Sequence, residues 1–180
     1  MKERVVIIGG VAAGLGAATQ IRRNNQEIEI FVFEKTPYIS YGLCAMPFFI
    51  KGVLKKVEDF TVYTPSYFKN NRNIDVFINH LVEKIDIEKK EVVVKDLGNN
   101  TRKNVHYDKL LIATGARART LNIEGAHLKN IFTFRNLKSA IDLKNFITQR
   151  KPKKCVIIGS GLIGLSLSEA FTSNGIKTYI

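Results

Sequence analysis

The sequence of 180 residues predicts an α/β fold in which parallel strands alternate with helices. Three observations support this prediction. An apolar run at residues 5–8 leads through a glycine-rich turn into a helical pattern, a second apolar run follows at residues 28–33, and the same order of strand, glycines and helix returns near residue 155. Continuous apolar strands that alternate with amphipathic helices are typical of parallel sheets covered by helices.

The first glycine turn has the sequence GGVAAG. A strand is expected to stop at Gly9, and the helix from about Ala12 to Arg23 presents its free N–H groups and its dipole to the turn, which suits a pyrophosphate. The dinucleotide fingerprint has three glycines here, and Val11 stands where the middle one is expected. Small residues also follow strands simply to let helices pack. The candidate binding residues are Gly9, Gly10, Val11, Ala12, Ala13 and Gly14.

Glu34 ends the second apolar run and lies 20 residues beyond Gly14. In a βαβ unit a carboxylate at this spacing binds the ribose of a dinucleotide. A single Glu at a strand end is by default a solvated carboxylate, and the spacing from the turn favours the binding role instead. Turn, helix and carboxylate together predict a complete dinucleotide-binding unit of the Rossmann type.

The composition limits the function classes. The 28 Lys and Arg against 16 Asp and Glu give a formal net charge of +12, which suits phosphate-bearing ligands. No aromatic and basic stripe typical of nucleic-acid binding is present, and no signal peptide or membrane span is evident. Two cysteines make no disulfide framework, and three histidines lack metal-ligand spacing. We therefore expect a cytoplasmic protein with small-molecule partners and no metal, nucleic acid or membrane partner.

Cys44 lies in an apolar stretch, residues 36–53, that has neither a clear helical nor a clear strand pattern. A lone cysteine is most often a small buried apolar residue. Here it follows the dinucleotide unit closely and is flanked by Gly42 and Pro47, which favours a reactive thiol. At the beginning of a helix the dipole would favour the thiolate. No second cysteine lies four or five residues away, so the thiolate has to cycle with a small thiol, a persulfide or an oxygen species.

The hydrophobic pattern also predicts the strands and helices in the middle of the chain. Short strands interpreted as a small antiparallel meander lie at residues 75–78, 82–87 and 91–95. A buried strand over residues 109–113 ends in another small-residue turn at Thr114 and Gly115, and a helix is predicted over residues 137–149. The charged run at residues 150–154 predicts a boundary between a first domain, residues 1–150, and a second domain, residues 151–180.

The second glycine turn carries a complete G-x-G-x-x-G after a strand at residues 155–158. Its candidate binding residues are Gly159, Gly161, Leu162, Ile163 and Gly164. The helix that follows is expected to turn Ile163, Leu167, Ala170 and Phe171 inward, and Cys155 is expected to be an inert core residue. Two dinucleotide turns in one chain are much more specific than one. Because the sequence ends in a strand just begun at Lys177, we expect it to be part of a longer protein.

Five motifs in this order resemble the flavin-dependent pyridine nucleotide-disulfide oxidoreductases: GGVAAG, FEK, SYGLCAMP, YDKLLIATG and GSGLIG. The chain is most similar to their single-cysteine branch, which contains coenzyme A-disulfide reductases, persulfide reductases and NADH oxidases. The resemblance implies that the first unit binds FAD, that the second begins an NADH- or NADPH-binding domain, and that the flavin lies between the nicotinamide and the redox cysteine. It also implies a homodimer formed through a region outside this sequence.

The resemblance assigns roles to matching positions. Cys44 is the redox nucleophile, and the second glycine turn receives NAD(P)H. The FAD contacts outside the first turn fall on Glu34, Lys35, Val82, Thr114 and Gly115. The contacts to coenzyme A fall on Gly16, Gln20, Arg23, Ser40, Leu43 and Arg72. Three positions depart from the reductase pattern, since Leu43 replaces an asparagine, Gly16 a hydroxyl residue, and Ser166 a glutamate.

Three functions remain open from the sequence. The first is an FAD-dependent NAD(P)H oxidoreductase that reduces a disulfide or persulfide, such as coenzyme A disulfide, through Cys44. The second is an NADH oxidase or peroxidase in which Cys44 cycles through a sulfenic acid. The third is a nucleotide-binding redox sensor without catalysis. We expect these 180 residues alone not to be a competent enzyme.

Overall fold

The computed structural model describes residues 2–180, which form two compact units. The first unit comprises the residues up to Tyr41 together with Thr61–Gly115, and the second comprises Gly42–Phe60 together with Ala116–Ile180. The predicted domain division after residue 150 refers to a longer protein and stays a prediction.

The helices and strands follow one another along the chain in an α/β order. They are β1 (Arg4–Ile8), α1 (Ala12–Asn24), β2 (Glu29–Glu34), α2 (Met46–Lys51), α3 (Pro65–Arg72), β3 (Asp75–Ile78), β4 (His80–Asp86), β5 (Glu91–Asp96), β6 (Arg102–His106), β7 (Lys109–Ile112), α4 (Leu137–Arg150), β8 (Lys154–Val156), α5 (Leu162–Ser173) and β9 (Lys177–Tyr179). Two 3₁₀ turns lie at Leu43–Ala45 and Val57–Phe60.

The first unit is built on a four-stranded sheet of order β3-β2-β1-β7 in which every neighbouring pair is parallel. Alternate residues of β1 face opposite sides, as the period of a strand requires. Val5 and Ile7 pack with Leu15 and Ala18 of α1 and with Phe68 of α3. On the other side Val6 and Phe33 pack against apolar residues of the second sheet, namely Val92, Val94 and Val105. The predicted α/β fold class is confirmed.

The antiparallel meander contains a different set of strands from the one predicted. Its order is β4-β5-β6, whereas β3 joins the parallel sheet beside β2. The third strand of the meander, β6, has the sequence RKNVH and was not predicted, because only Val105 of its five residues is buried. Its existence depends on antiparallel pairing with β5, which local hydrophobic periodicity does not report.

The second unit contains the parallel pair β8-β9 and the helices α2, α4 and α5. The buried residues of α5 are Gly164, Leu167, Ala170 and Phe171, so the inward position predicted for Ile163 is wrong. Gly164 takes that place because the helix lies against the turn at Gly159, which leaves Ile163 54% exposed. Cys155 is half-buried, and its Sγ donates to Oγ1 of Thr178 at 3.4 Å.

Candidate functional site

The first glycine turn is closed by backbone that leaves no room for side chains. Gly9 has a φ of +115°, and a Cβ there would overlap the carbonyl oxygen of Ala113. A Cβ at Gly14 would overlap the carbonyl oxygen of Gly9, so α1 approaches the turn as closely as the third fingerprint glycine allows. The turn is also tied to β2, because the Gly9 N–H donates to the Phe33 carbonyl at 2.9 Å.

Glu34 lies directly at this turn and is buried, with 8% of its surface exposed. Its Oε2 accepts from the Gly10 N–H at 2.9 Å, and its Oε1 accepts from the Thr36 N–H at 2.9 Å and the Thr36 hydroxyl at 2.8 Å. A Cβ at Gly10 would lie 2.8 Å from the Glu34 Cβ and 2.9 Å from the Ile39 Cγ2. The predicted ribose carboxylate is therefore held in one orientation by Gly10 of the turn and by Thr36, two residues after it.

Helix α1 begins at this turn without a side-chain cap, since Val11 occupies the N-cap position. The N–H groups of a first helical turn have no acceptor within the helix, so here they are left for an acceptor from outside. A cradle that only glycines fit, an uncapped helix N-terminus and an oriented carboxylate suit a dinucleotide pyrophosphate and its ribose.

The second glycine turn repeats this backbone in the second unit. Gly159 has a φ of +116°, and a Cβ at Gly164 would overlap the carbonyl oxygen of Gly159. Helix α5 also begins without a side-chain cap, at Gly161. In contrast with the first turn, a Cβ at Gly159 or Gly161 would meet no atom within 4 Å. Leu162, at the first position of the helix, is 87% exposed.

The other predicted FAD contacts all belong to the first unit. Val82 lies in β4 opposite Val94, next to a register irregularity in the strand pair. Thr114 and Gly115 are exposed and follow β7, and Gly115 has a φ of +70° that suits a sharp turn. Lys35 is exposed beside Glu34. Their roles toward FAD stay predictions.

Cys44 is exposed in the 3₁₀ turn Leu43–Ala45, which leads directly into α2. The turn is anchored on both sides of the cysteine, because the Gly42 N–H donates to the Phe60 carbonyl and the Ala45 N–H donates to the Gly42 carbonyl, both at 3.0 Å. Cys44 therefore belongs to the second unit, together with the second glycine turn. Its exposure differs from that of an ordinary core cysteine.

Five of the six positions predicted to contact coenzyme A lie in the first unit, and Leu43 lies in the second. Gln20 and Arg23 are exposed on α1, and a Cβ at Gly16 of that helix would meet nothing within 4 Å. Ser40 has a φ of +50°, and its N–H donates to the Gly10 carbonyl at 3.1 Å. Arg72 ends α3, with its guanidinium 6.0 Å from the ring centroid of Tyr67.

Sequence reasoning missed the role of Arg22, which is 5% exposed. Its guanidinium donates to the carbonyl oxygens of Asn25, Gln26, Ile28, Arg72 and Asn73 at distances from 2.6 to 3.3 Å. It thus joins the end of α1 to the end of α3. A signal was present, because Arg22 follows Leu15 and Ala18 on the buried stripe of the helix.

Helix α3 was also missed. Its N-cap Thr64 accepts from the Tyr67 N–H at 3.2 Å, and Pro65 occupies the first helical position. This pair of residues is a recognised sequence signal for a helix beginning.

The fold and the two glycine turns define an α/β protein of the class that binds two dinucleotides. A family model described as pyridine nucleotide-disulphide oxidoreductase matches residues 3–180, and the chain belongs to this family. The family assignment from five sequence motifs is therefore confirmed.

The chain is also similar to individual proteins and to a solved structure. The chain is 35% identical over 175 residues to the NAD(P)H coenzyme A polysulfide/persulfide reductase of Pyrococcus horikoshii, with 97% of this chain and 38% of the relative covered. It is 33% identical over 177 residues to an NADH oxidase of Methanocaldococcus jannaschii, with 98% and 39% covered. The crystal structure of reduced CoADR-RHD from Bacillus anthracis matches with a TM-score of 0.95 and 32% identity, covering 99% of this chain and 32% of that one. The chain thus spans less than half the length of these relatives.

Over residues 2–180, no group of three or more His, Cys, Asp and Glu side chains is arranged to hold a metal ion. No helix in the described part of the chain is both long and apolar enough to cross a membrane.

Proposed function

We propose that the full-length protein is an FAD-dependent NAD(P)H oxidoreductase that reduces a disulfide or persulfide through Cys44. The observation that carries the proposal is that two helices without a side-chain cap each begin after a glycine turn of the same backbone shape. The first glycine of these turns has a φ of +115° at Gly9 and +116° at Gly159. Family membership and the similarity to a coenzyme A-linked persulfide reductase support the same activity.

The first turn is the proposed FAD site. The N–H groups at the beginning of α1 bind the pyrophosphate, and the carboxylate of Glu34, already oriented by Gly10 and Thr36, accepts from a ribose hydroxyl. The second turn binds the pyrophosphate of NADH or NADPH in the same way at the beginning of α5. Bound flavin supplies the chemistry that converts a hydride from the nicotinamide into two electrons for sulfur.

Cys44 is the proposed nucleophile. Its thiolate attacks one sulfur of the disulfide, one thiol leaves, and a mixed disulfide forms on Cys44. The mixed disulfide then takes up two electrons and two protons, which restores the Cys44 thiol and releases the second thiol. NAD(P)H supplies both electrons and one proton, and solvent supplies the other proton. A persulfide reacts in the same way and yields a thiol and hydrogen sulfide. The exposure of Cys44 is what this attack needs.

A Cys44→Ser variant of the full-length protein tests this assignment. We expect it to retain FAD and to accept a hydride from NAD(P)H, since neither step uses sulfur, but to lose disulfide and persulfide turnover. Stopped-flow flavin absorbance and steady-state thiol release measure the two steps. Cys155→Ser is the matched control and is expected to behave as wild type, because that thiol is half-buried against Thr178.

Mass spectrometry of the alkylated wild-type protein gives an independent reading, in which Cys44 is labelled before Cys155. Retained turnover in Cys44→Ser, or earlier labelling of Cys155, would refute the role of Cys44. A full-length protein that is colourless and takes up no added FAD would refute the flavin site.

An NADH oxidase is the second candidate, and the similarity to the Methanocaldococcus jannaschii protein favours it. In that reaction oxygen takes up two electrons and two protons to give peroxide, and peroxide oxidises the Cys44 thiol to a sulfenic acid with release of water. Two further electrons and two protons then reduce the sulfenic acid to the thiol and a second water, and NAD(P)H supplies the electrons. Product analysis separates the two candidates, because thiol accumulates in one and peroxide or water in the other. A homodimer and a cytoplasmic location stay predictions.

A further inference from the structure

The C-terminal end of α2 is held by side chains from two other helices of the second unit. The Ile50 carbonyl oxygen accepts from Nζ of Lys144 in α4 at 2.9 Å and from Nδ2 of Asn174, the C-cap residue of α5, at 3.2 Å. Asn174 Nδ2 also donates to the Ala170 carbonyl at 2.7 Å. The last carbonyls of a helix have no partner within it, so α2 takes its partners from α4 and α5. We call these two bonds to Ile50 the carbonyl clamp.

Lys144 is placed in the clamp at a cost. Burial lowers the pKa of its ammonium group, and desolvation is the cause. Its Nζ lies 6.0 Å from the ring centroid of Phe49 and 3.7 Å from where a Cβ on Gly52 would stand. A positive charge near a helix C-terminus interacts favourably with the helix dipole, but a neutral carbonyl compensates a desolvated ammonium only in part.

The clamp lies close to the reactive cysteine along the chain. Cys44 occupies the 3₁₀ turn that runs without a break into α2, and α2 has only six residues. With a rise of about 1.5 Å per helical residue, Ile50 and Cys44 are separated by roughly 9 Å along the axis. Because α2 is so short and directly follows the turn that carries Cys44, we expect a shift at Ile50 to displace Cys44 as well.

Helix α5 connects the carbonyl clamp with the second glycine turn, which lies at the opposite end of that helix. Helix α5 begins at Gly161, in the turn proposed to bind NAD(P)H, and ends at Asn174, which holds Ile50. One rigid helix thus connects the proposed nucleotide turn with the helix that follows Cys44.

We infer that Lys144 and Asn174 are positioning residues that fix Cys44 relative to the second dinucleotide turn. The inference rests on the proposed role of Cys44 and adds two residues to it. Lys51 and Glu169 also join α2 to α5, with 2.6 Å between Nζ and Oε1. Because 68% of the Glu169 side chain is exposed, this ion pair is expected to contribute little. It therefore provides a matched control between the same two helices.

The experiment compares Asn174→Ala, Lys144→Met, Lys144→Arg and Glu169→Gln in the full-length protein. The first readout is the rate at which iodoacetamide alkylates Cys44, with Cys155 as an internal reference, and it needs no turnover. The second is kcat and KM for a disulfide acceptor beside KM for NAD(P)H. We expect Asn174→Ala and Lys144→Met to change the alkylation rate severalfold and to lower kcat about tenfold, since misplacement by 1 Å is enough for losses of up to about a hundredfold.

We expect KM for NAD(P)H and FAD content to stay within about twofold of wild type in these variants, because the clamp touches neither nucleotide turn. Glu169→Gln is expected to match wild type, and Lys144→Arg, which keeps a donor, to recover most of the loss. Asn174→Ala leaves the Lys144 bond in place, so it reports on the clamp even if Lys144→Met does not fold.

Two results would overturn the inference. One is an alkylation rate and kcat unchanged in Asn174→Ala and Lys144→Met, and the other is a parallel loss of FAD, NAD(P)H affinity and thermal stability, which would mark a general structural role. Failure of the proposed function looks different. Cys44→Ser would then retain turnover, while the alkylation rates would still report whether the clamp positions Cys44.

Discussion

The two glycine turns have the same backbone and different surroundings. Their first glycines differ by one degree in φ, and the third glycine of each meets the carbonyl oxygen of the first. Around the first turn, Ala113, Glu34 and Ile39 leave no space for a Cβ at Gly9 or Gly10, whereas a Cβ at Gly159 meets nothing. The local sequence therefore sets the shape of the turn, and the segments that pack around it within these 180 residues decide how enclosed it is.

The helices that follow the turns differ at their other ends. In the last turn of helix α1 the buried guanidinium of Arg22 donates to carbonyls just after the helix, in the segment before β2 and at the end of α3. Helix α5 ends at the neutral Asn174, which bonds its own Ala170 carbonyl and α2. A charged residue thus serves the end of α1, where a neutral residue serves the end of α5.

The largest expected effect separates these two helix ends. Arg22→Met should lower the free energy of unfolding of the first unit by about 3 kcal/mol or more. It removes five hydrogen bonds made by a buried guanidinium, and hydrogen bonds to charged groups contribute about 1.5–3 kcal/mol each. Urea unfolding of the chain measures it. Arg23→Met is the matched control, and its exposed side chain should cost within about 0.5 kcal/mol. A similarly small loss of unfolding free energy in both variants would show that the bonds of Arg22 do not stabilise the end of α1.

A smaller effect compares the turns themselves. Gly9→Ala and Gly159→Ala both place a Cβ at a positive φ, which costs about 1–3 kcal/mol. Only Gly9→Ala also forces a Cβ onto the Ala113 carbonyl, for which overpacking adds about 1–3 kcal/mol. Chemical denaturation of the 180-residue chain should therefore show a greater loss of unfolding free energy for Gly9→Ala than for Gly159→Ala. Equal losses would mean that the enclosure of the first turn does not contribute to the free energy of unfolding.

The smallest effect concerns Glu34, which ties the first turn to the end of β2. Glu34→Gln keeps the shape but replaces one acceptor oxygen with an NH2 group, so either the Gly10 N–H or the Thr36 N–H loses its acceptor. We expect a loss of about 1–2 kcal/mol in unfolding free energy. FAD retention, followed by absorbance after gel filtration of the full-length protein, should fall more than stability does. A variant that is less stable than wild type but retains FAD equally well would show that Glu34 stabilises the turn and does not bind the ribose.

The sequence predicted the elements whose signals are local. Strand β1, the turn at Gly9 and α1 lie where apolar period and glycine spacing place them, and the helix predicted over residues 137–149 is α4, Leu137–Arg150. Strand β6 escaped prediction because pairing with β5 stabilises it. Arg22 escaped because its acceptors come from three separate segments. The grouping of residues 42–60 with the second unit likewise depends on tertiary contacts alone.

The bonds that hold Glu34 have a consequence for ligand binding. Its carboxylate is oriented by Gly10 and Thr36 within the protein itself, before any ribose hydroxyl is present. Immobilising a flexible side chain on binding costs about 0.5–1.5 kcal/mol, and here that ordering takes place during folding. The first turn is thus preorganised, so a dinucleotide bound as proposed gains its affinity without having to arrange the acceptor that receives it.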